Sequence, residues 1–433
     1  MRLKKLTALA LSAIMVLGLA ACGGGGGTTP TPDAGNTDDP SAQTVEITLA
    51  TYPIGDWTNE TVVNDLIADF NAVYPNIKVT VQYLDYTNGD ATVNAAIEAG
   101  TAPDVIFEGP ERLVANWGAK GYLVDLKDMV NPATYESVTQ SCTSPDGAVY
   151  ELPMCMTAHC MAINKDLFEA AGAMQYIDEE THTWTTENFL KAVEAVYAYG
   201  QDPVGVVFCG GQGGDQGNRV LITNLYGQGE FANAEHTEYI ANTPENAQAL
   251  QTLYDLPGFN FDPAIVGGDE INLFVNGTLA MATCWNVTQE VNNAEKLTFD
   301  VFPMAFPAVD GTPILNGGIW GFGVFDNGSA EKIEAAKTFI SFMTGDDAQY
   351  AKAVEATNYW PTREVAGMYE GNELMTEYGI MTPMMGDYYQ ITKGWPTART
   401  EWWNMLQRVG AGADPAAELE VFVANSNAAA AAE

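Results

Sequence analysis

Apolar and polar side chains alternate from Val45 to Tyr52, which predicts a β-strand. Apolar residues then recur at helical spacing, and Thr58 or Asn59 can cap a helix that ends before Pro75. The following residues predict, in order, a strand, a short helix and a buried strand at Ile77–Leu84, Ala91–Ala99 and Asp104–Phe107. Strands that alternate with helices indicate an α/β fold with a parallel sheet.

The same alternation resumes after residue 160. The predicted elements are a strand at Met161–Asn164, a helix at Thr186–Tyr199, a strand at Val204–Cys209 and helices at Glu245–Tyr254 and Asp269–Phe274. Ligands of open α/β sheets bind beyond the carboxyl ends of the strands. The loops Tyr52–Trp57 and Glu108–Arg112 are therefore expected to face a ligand.

The first residues have the pattern of an export signal. Arg2, Lys4 and Lys5 precede an uncharged apolar stretch at Leu6–Leu19, which is shorter than the roughly 20 residues of a spanning helix. Leu19-Ala20-Ala21-Cys22 resembles a bacterial lipobox. We therefore expect residues 1–21 to be a cleaved signal peptide and Cys22 to be lipidated. An ordinary secretory signal that ends near a cysteine is the alternative.

The location follows from that resemblance. A lipid on Cys22 would anchor the chain to the outer face of the bacterial cytoplasmic membrane. Residues 22–44 are rich in Gly, Thr, Pro and Asp, which predicts a flexible linker between the anchor and the folded body.

Composition excludes some partners. The chain has 18 basic and 56 acidic residues, and its net charge of −38 argues against nucleic acid and anionic lipid surfaces. The three histidines stand far apart and form no HExxH motif, so neither a metal nor another cofactor is expected. Five cysteines besides Cys22 lack zinc-type spacing and are expected to be mainly buried free thiols: Cys142, Cys155, Cys160, Cys209 and Cys284.

Five blocks resemble, in order and spacing, those of the extracellular sugar-binding proteins of ABC importers, the maltose-binding-protein-like family. They begin with "APDVIFEGPERLVANWG" and "YELPMCMTAHCMAINKDLF", continue with "LFVNGTLAMATCWN" and "GGIWGFGVFDNGSAEKIEAAKTFISFMTG", and end with "YWPTREVA". The resemblance covers almost the whole exported body.

The resemblance implies a two-lobed, Venus-flytrap fold with the ligand between the lobes. Chain crossings are then expected near Pro153–Ala158, Phe299–Pro303 and Met343–Gly345. The first lobe would hold residues 45–156 plus 304–343, and the second residues 157–303 plus 344–433. A ligand that prefers the closed form would close the lobes.

The resemblance also implies site residues. Glu111 and Arg112 stand where the maltose-binding members carry an acidic-basic pair, and Trp285 and Trp402 match family tryptophans; Glu108 is an alternative to Glu111. Sugar hydroxyls and ring faces favour such polar and aromatic groups. Further candidates are Asp56, Trp57, Asn286, Trp320 and Trp360, with Asp215, Gln216, Asn218 and His159 as weaker ones. A surface ion pair for Glu111 and Arg112, and core positions for the tryptophans, remain the alternatives.

The expected function is capture of a carbohydrate, an oligosaccharide in particular, by a monomer that delivers it to ABC-importer permease subunits without chemistry of its own. Thr157 stands where the maltose-binding pattern has a glutamate, so maltose itself is not implied. A polyamine or another cationic solute is an alternative that the acidity permits. An anchored glycoside hydrolase is a second alternative, because carboxylates and tryptophans also build such sites.

Overall fold

The computed structural model describes residues 44–208, 216–262 and 264–432. The expected signal peptide, Cys22, most of the linker, Cys209 and Asp215 lie outside these residues. The strands are β1 Val45–Thr51, β2 Ile77–Tyr83, β3 Val105–Glu108, β4 Leu152–Ala158, β5 Cys160–Asn164, β6 Gly205–Phe208, β7 Phe259–Asp262, β8 Met281–Trp285, β9 Val301–Met304, β10 Gly317–Val324 and β11 Trp360–Pro361.

The helices alternate with these strands in the first half of the chain and predominate near its end. They are α1 Glu60–Val73, α2 Gly89–Glu98, α3 Pro110–Arg112, α4 Glu136–Ser141, α5 Lys165–Ala170, α6 Thr186–Tyr199, α7 Gln216–Leu225, α8 Pro244–Asp255, α9 Gly267–Val275, α10 Val287–Asn293, α11 Ala330–Thr344, α12 Asp347–Glu355, α13 Glu373–Gly379, α14 Trp395–Gly410 and α15 Pro415–Ala430. A π-helical turn, Leu113–Gly118, continues α3. None of the described helices is long and apolar enough to cross a membrane.

The first lobe is built on a six-stranded sheet with the order β11-β4-β10-β3-β1-β2. β1 pairs in parallel with β2 and β3, as the alternation of strands and helices predicts. β10 enters between β3 and β4 and is antiparallel to both. The expectation of a parallel sheet is therefore correct for the first three strands and wrong for the sheet as a whole.

Local sequence signals account for the first helix. The Asn59 side chain accepts a hydrogen bond from the Thr61 amide and caps α1. Val63, Leu66 and Phe70 lie on one face at helical spacing and are buried against the sheet. The predicted cap and helix are both confirmed.

The second lobe contains a three-stranded sheet, β8-β5-β9, and a parallel pair, β6-β7. Helices α7, α8, α14 and α15 pack beside them. The rings of Phe231, Trp402 and Phe422 form the aromatic centre of this lobe, with centroids 5.2 Å apart in the pairs Phe231–Trp402 and Trp402–Phe422.

The chain crosses between the lobes at three places. β4 belongs to the six-stranded sheet and β5 to the three-stranded one, so the chain passes from the first sheet to the second after Ala158. The Ile314 amide still bonds to Asn224 of the second lobe, so the second crossing lies between Ile314 and β10. Because β11 pairs with β4, the third crossing follows Pro361. Strand pairing thus puts the last two crossings later than the resemblance implies.

Four of the cysteines have the expected state. Cys142, Cys155, Cys160 and Cys284 are buried free thiols. Burial raises the pKa of Cys155 and Cys160 above the usual thiol range, so these thiols stay protonated at neutral pH.

Candidate functional site

A segment of the chain, Thr382–Lys393, runs between the two lobes, and we call it the cleft segment. Its Met384 carbonyl and Gly386 amide bond to Leu315, at the second crossing. Asp387 pairs with His236 of the second lobe at 2.7 Å. On the other side, the Tyr388 hydroxyl donates to Glu111 Oε2 of the first lobe at 2.8 Å. The cleft segment therefore touches both lobes.

Apolar packing holds the same segment against the first lobe. Tyr388 and Ile391 form a small buried cluster with residues of α4, β4, β10 and the turn after α3, among them Val114, Val138 and Ile319. This cluster is separate from the main core.

A polar cluster lies where β1 and β3 end. Glu108 is the last residue of β3, and its side chain is 1% exposed. Arg112, one turn further along, donates to Glu108 Oε1 at 2.9 Å and to Asp90 Oδ1 at 2.7 Å. The Arg112 guanidinium also lies 5.1 Å from the centre of the Tyr52 ring. The predicted trio of Glu108, Glu111 and Arg112 is thus brought together.

Burial decides the charges in this cluster. Loss of solvent raises the pKa of Glu108 to about 8, although the neighbouring Arg112 opposes the shift. Burial alone would lower the pKa of Arg112, but Glu108, Glu111 and Asp90 outweigh it and raise that pKa. Glu151, fully buried nearby, has a pKa raised by burial and further by Glu111 and Glu108. The cluster thus contains more carboxyl groups than the single guanidinium of Arg112, but burial favours the neutral form of Glu108 and Glu151.

A cavity of about 1320 Å³ opens between the lobes, and we call it the cleft cavity. The first lobe contributes residues of α4 and of the turn after α3, and the second contributes α7, residues 228–236 and the chain near the second crossing. The cleft segment forms another wall. Most polar lining groups are hydroxyls, amides and carboxylates, among them Thr139, Gln140, Thr223 and Glu230.

One lining residue has an unused acceptor. Asn316 is 3% exposed, and its amide nitrogen donates to the Asp387 carbonyl at 3.4 Å. Its Oδ1 is buried and accepts no hydrogen bond from any residue that the structure describes. A buried acceptor without a donor is costly, but this atom is itself buried and has no surface open to a ligand in the cavity.

A second cavity, of about 650 Å³, lies on the other side of the cleft segment. Four methionines and three aromatic residues contribute to its lining, and we call it the methionine pocket: Met156, Met368, Met375, Met385, Tyr135, Trp360 and Tyr369. Pro383, Met385 and Gly386 line both cavities.

Three of the predicted tryptophans are buried in the cores of the lobes. Trp57 is 1% exposed, and its Nε1 donates to the Ala353 carbonyl at 3.0 Å. Trp402 is 0% exposed and donates to Asn218 Oδ1, also at 3.0 Å. Trp285 ends β8 as expected, but it is 1% exposed and packs against Phe274. Their rings present no open face to either cavity.

The other candidates are dispersed. Asp56 is exposed, and Asn286 caps α10 by accepting from the Thr288 amide at 2.9 Å. Trp320 is half-buried and stacks on Tyr359 at 4.7 Å. Trp360 is half-buried and lines the methionine pocket. Of the weaker candidates, Gln216 begins α7, and the backbone amide of His159 donates to the Asn316 carbonyl.

The sequence interpretation missed the cleft segment. Its Tyr388, Met385 and Asp387 were not candidates, and neither were His236 and Asn316. The run "MTPMMGDYYQ" contains three methionines and two tyrosines in a polar, proline-interrupted stretch without helical spacing. This concentration of methionines and tyrosines outside a predicted helix or strand is the sequence signal that could have identified the cleft segment.

The described residues contain no group of three or more His, Cys, Asp or Glu side chains placed to hold a metal ion. The polar cluster and the two cavities offer hydrogen bonds, charge and apolar surface to a ligand.

Comparisons of the sequence and of the structure with known proteins identify similar proteins. An uncharacterized ABC transporter extracellular-binding protein of Pyrococcus horikoshii is 27% identical over 163 residues, which are 36% of this chain and 37% of that protein. The structure is similar to the cyclic alpha-maltosyl-1,6-maltose binding protein from Arthrobacter globiformis, with a TM-score of 0.73, 20% identity and coverage of 90% of this chain and 100% of the other.

An ABC substrate-binding protein from Listeria monocytogenes, in complex with cycloalternan, matches with a TM-score of 0.67, 19% identity and coverage of 89% and 99%. These likenesses confirm the two-lobed α/β fold. The model of the bacterial extracellular solute-binding protein family matches residues 65–382, which is well over half of the chain. The chain therefore belongs to the bacterial extracellular solute-binding protein family.

Proposed function

We propose that this protein binds a carbohydrate in the cleft cavity and delivers it to an ABC importer, without catalysing a reaction. The observation that carries the proposal is the cleft cavity itself, which opens between the lobes and is lined by hydroxyl, amide and carboxylate groups such as those of Thr139, Gln140 and Glu230. Sugar hydroxyls are donors as well as acceptors, and the surrounding hydroxyl, amide and carboxylate groups complement them.

The size of the cleft cavity favours an oligosaccharide. Small-molecule pockets usually measure about 300–1,000 Å³, and a cavity of about 1320 Å³ exceeds that range. The sugar complexes of similar proteins, with cycloalternan in the Listeria protein, are consistent with this size class.

The test is a thermal-shift screen of mono- and oligosaccharides, followed by calorimetry on each ligand that stabilises the protein. A ligand at 100 times its Kd adds about 2.7 kcal/mol of stability. Gln140→Ala, which removes an exposed amide from the wall of the cleft cavity, should weaken binding of the selected sugar about 2- to 12-fold, the value of one hydrogen bond of about 0.5–1.5 kcal/mol. Asn327→Ala, in the first lobe, is the control. If no sugar shifts the melting temperature, the carbohydrate proposal fails.

A cationic solute is the second candidate. It is supported by the net charge of −38 and by the carboxylates of Asp90 and Glu111, which outnumber Arg112 in the polar cluster beside the cleft segment. Spermidine and putrescine in the same screen separate the two: stabilisation by these amines, and not by sugars, would favour the cationic solute.

We further propose that the protein is a monomer anchored through a lipid on Cys22 at the outer face of the cytoplasmic membrane. The support is the charged start, the apolar stretch and the lipobox-like residues of the sequence. The linker would let the two lobes reach permease subunits in the same membrane.

A further inference from the structure

The methionine pocket differs from the cleft cavity in chemistry. The thioethers of Met156, Met375 and Met385, with the rings of Trp360 and Tyr369, are polarisable apolar groups. Thioethers make favourable contacts with aromatic rings and adapt to their shape. A lining of this kind favours a flat, apolar group over the hydroxyl-rich face of a sugar.

Tyr369 holds an unusual backbone conformation in this pocket. Its φ is +62°, in the left-handed region that bulky residues rarely adopt. Its hydroxyl donates to the Tyr359 carbonyl at 2.7 Å, and its ring meets Trp360 at 6.4 Å and 65°. Strained residues persist where the surrounding structure enforces them, often at ligand-binding sites. The strained backbone keeps an aromatic ring on the pocket wall.

The charges of the pocket exclude an anion. Glu364 and Glu370 are exposed lining residues, and no Lys, Arg or His occurs among the described residues that line it. A carboxylate, sulfate or phosphate would meet two like charges there without a cationic partner. The two carboxylates are exposed, whereas the methionines and aromatic rings form the apolar part of the lining, and this apolar part suits a neutral group.

Its volume and position connect the pocket with the proposed sugar site. About 650 Å³ is within the usual range of small-molecule pockets. Pro383, Met385 and Gly386 line this pocket on one side and the cleft cavity on the other. The two cavities are therefore adjacent, and a molecule that extends past this strip of the cleft segment would contact both.

We propose that the methionine pocket binds a neutral aromatic group that is linked to the sugar, so that the solute of this protein is an aryl glycoside. The inference rests on the proposed carbohydrate function for the cleft cavity, and it adds the chemical class of the non-sugar part.

The experiment compares each mono- and disaccharide of a panel as its methyl glycoside and as its phenyl glycoside by calorimetry. The phenyl form should bind at least 10-fold more tightly. Trp360→Ala and Tyr369→Gly should each remove this difference and leave the methyl glycoside affinity within 2-fold. Tyr369→Gly suits the positive φ and is expected to fold normally. Trp403→Ala, at a half-buried tryptophan on α14 outside both cavities, is the control.

A second arm uses 2-naphthol, an uncharged aromatic probe, and does not depend on the sugar. Its binding to the wild type, and its loss in Trp360→Ala, supports the pocket even if no glycoside binds, a result in which only the carbohydrate proposal fails. Equal affinities for methyl and phenyl glycosides overturn the aryl assignment and leave the sugar site intact. If neither glycosides nor 2-naphthol bind, the pocket assignment is wrong.

Discussion

Trp285 allows a direct test of whether the predicted tryptophans belong to the ligand site or to the core. Its side chain is 1% exposed at the end of β8. The Nε1 donates to the Tyr378 hydroxyl at 2.6 Å, and the ring meets Phe274 edge-on at 5.0 Å. Tyr378 in turn donates to Glu290 at 2.5 Å. The indole is therefore packed and hydrogen-bonded within the second lobe.

The cost of Trp285→Ala follows from that burial. A tryptophan buries about 150–250 Å², and at about 25 cal/mol per Å² the lost transfer free energy is about 4–6 kcal/mol. Measured Trp→Ala changes in cores cost about 3–5 kcal/mol. We therefore expect the free energy of unfolding to fall by about 3–5 kcal/mol.

The assay is urea unfolding followed by far-UV circular dichroism, with calorimetry of the selected sugar on the same preparations. Trp403→Ala is the matched control and should cost less than Trp285→Ala, because the Trp403 ring is only partly buried against the core. Tyr378→Phe should cost about 1–3 kcal/mol, because it leaves the buried indole N–H without its acceptor. If Trp285→Ala unfolds like the wild type but no longer binds sugar, the ring faces the ligand and the core assignment is refuted.

Three further changes test the polar cluster, the cleft segment and the anchor. Burial raises the pKa of Glu108 from 4.5 to about 8, so the contribution of this group to stability is full below about pH 4.5 and is lost as the pH rises through 8. Glu108→Gln should remove this part of the pH dependence of the unfolding free energy, measured by urea titrations at several pH values. An unchanged pH dependence in the mutant would contradict the prediction. Tyr388→Phe should lower the unfolding free energy by about 1 kcal/mol through loss of the bond to Glu111, and no change would mean that solvent replaces it. Cys22→Ser should abolish fatty-acid labelling and membrane retention, whereas a labelled mutant would exclude lipidation at this residue.

The sequence predicts the first lobe's early elements because their signals are local. Asn59 caps α1, and the spacing of Val63, Leu66 and Phe70 sets its buried face. In the second lobe, Asn164 caps α5 by accepting from the Leu167 amide in the same way. Each of these interactions joins residues within a few positions of one another, so the local sequence is sufficient to predict the helix and its first residue.

The mixed sheet and the later crossings depend on contacts that are distant in sequence. β10 pairs with β3 and β4 although it follows β3 by about two hundred residues. Its glycines permit this: a Cβ on Gly321 would lie 2.3 Å from the Leu152 carbonyl oxygen, and one on Gly317 would lie 2.0 Å from the Thr157 carbonyl oxygen. The block of glycines was visible in the sequence, but the strand that it approaches was not.

The candidate site was predicted in part, because chemistry can be read from residue types whereas exposure cannot. Glu108, Glu111 and Arg112 are neighbours in the chain, so their clustering follows from position alone. A tryptophan suits a sugar face and a core equally well, and for Trp285 the decision depends on Tyr378, which is distant in sequence.

The position of the cleft segment depends on contacts with both lobes. It bonds to Glu111 on one lobe and to His236 on the other, so its place is defined only once both lobes are assembled. Because it separates the two cavities, it divides a polar site from an apolar one. Tyr388, Tyr389 and Ile391 of this segment are buried, whereas Met385 is only partly buried and lines both cavities. By this reasoning, substitutions at Met385 should change the ligand preference more than the stability of the protein.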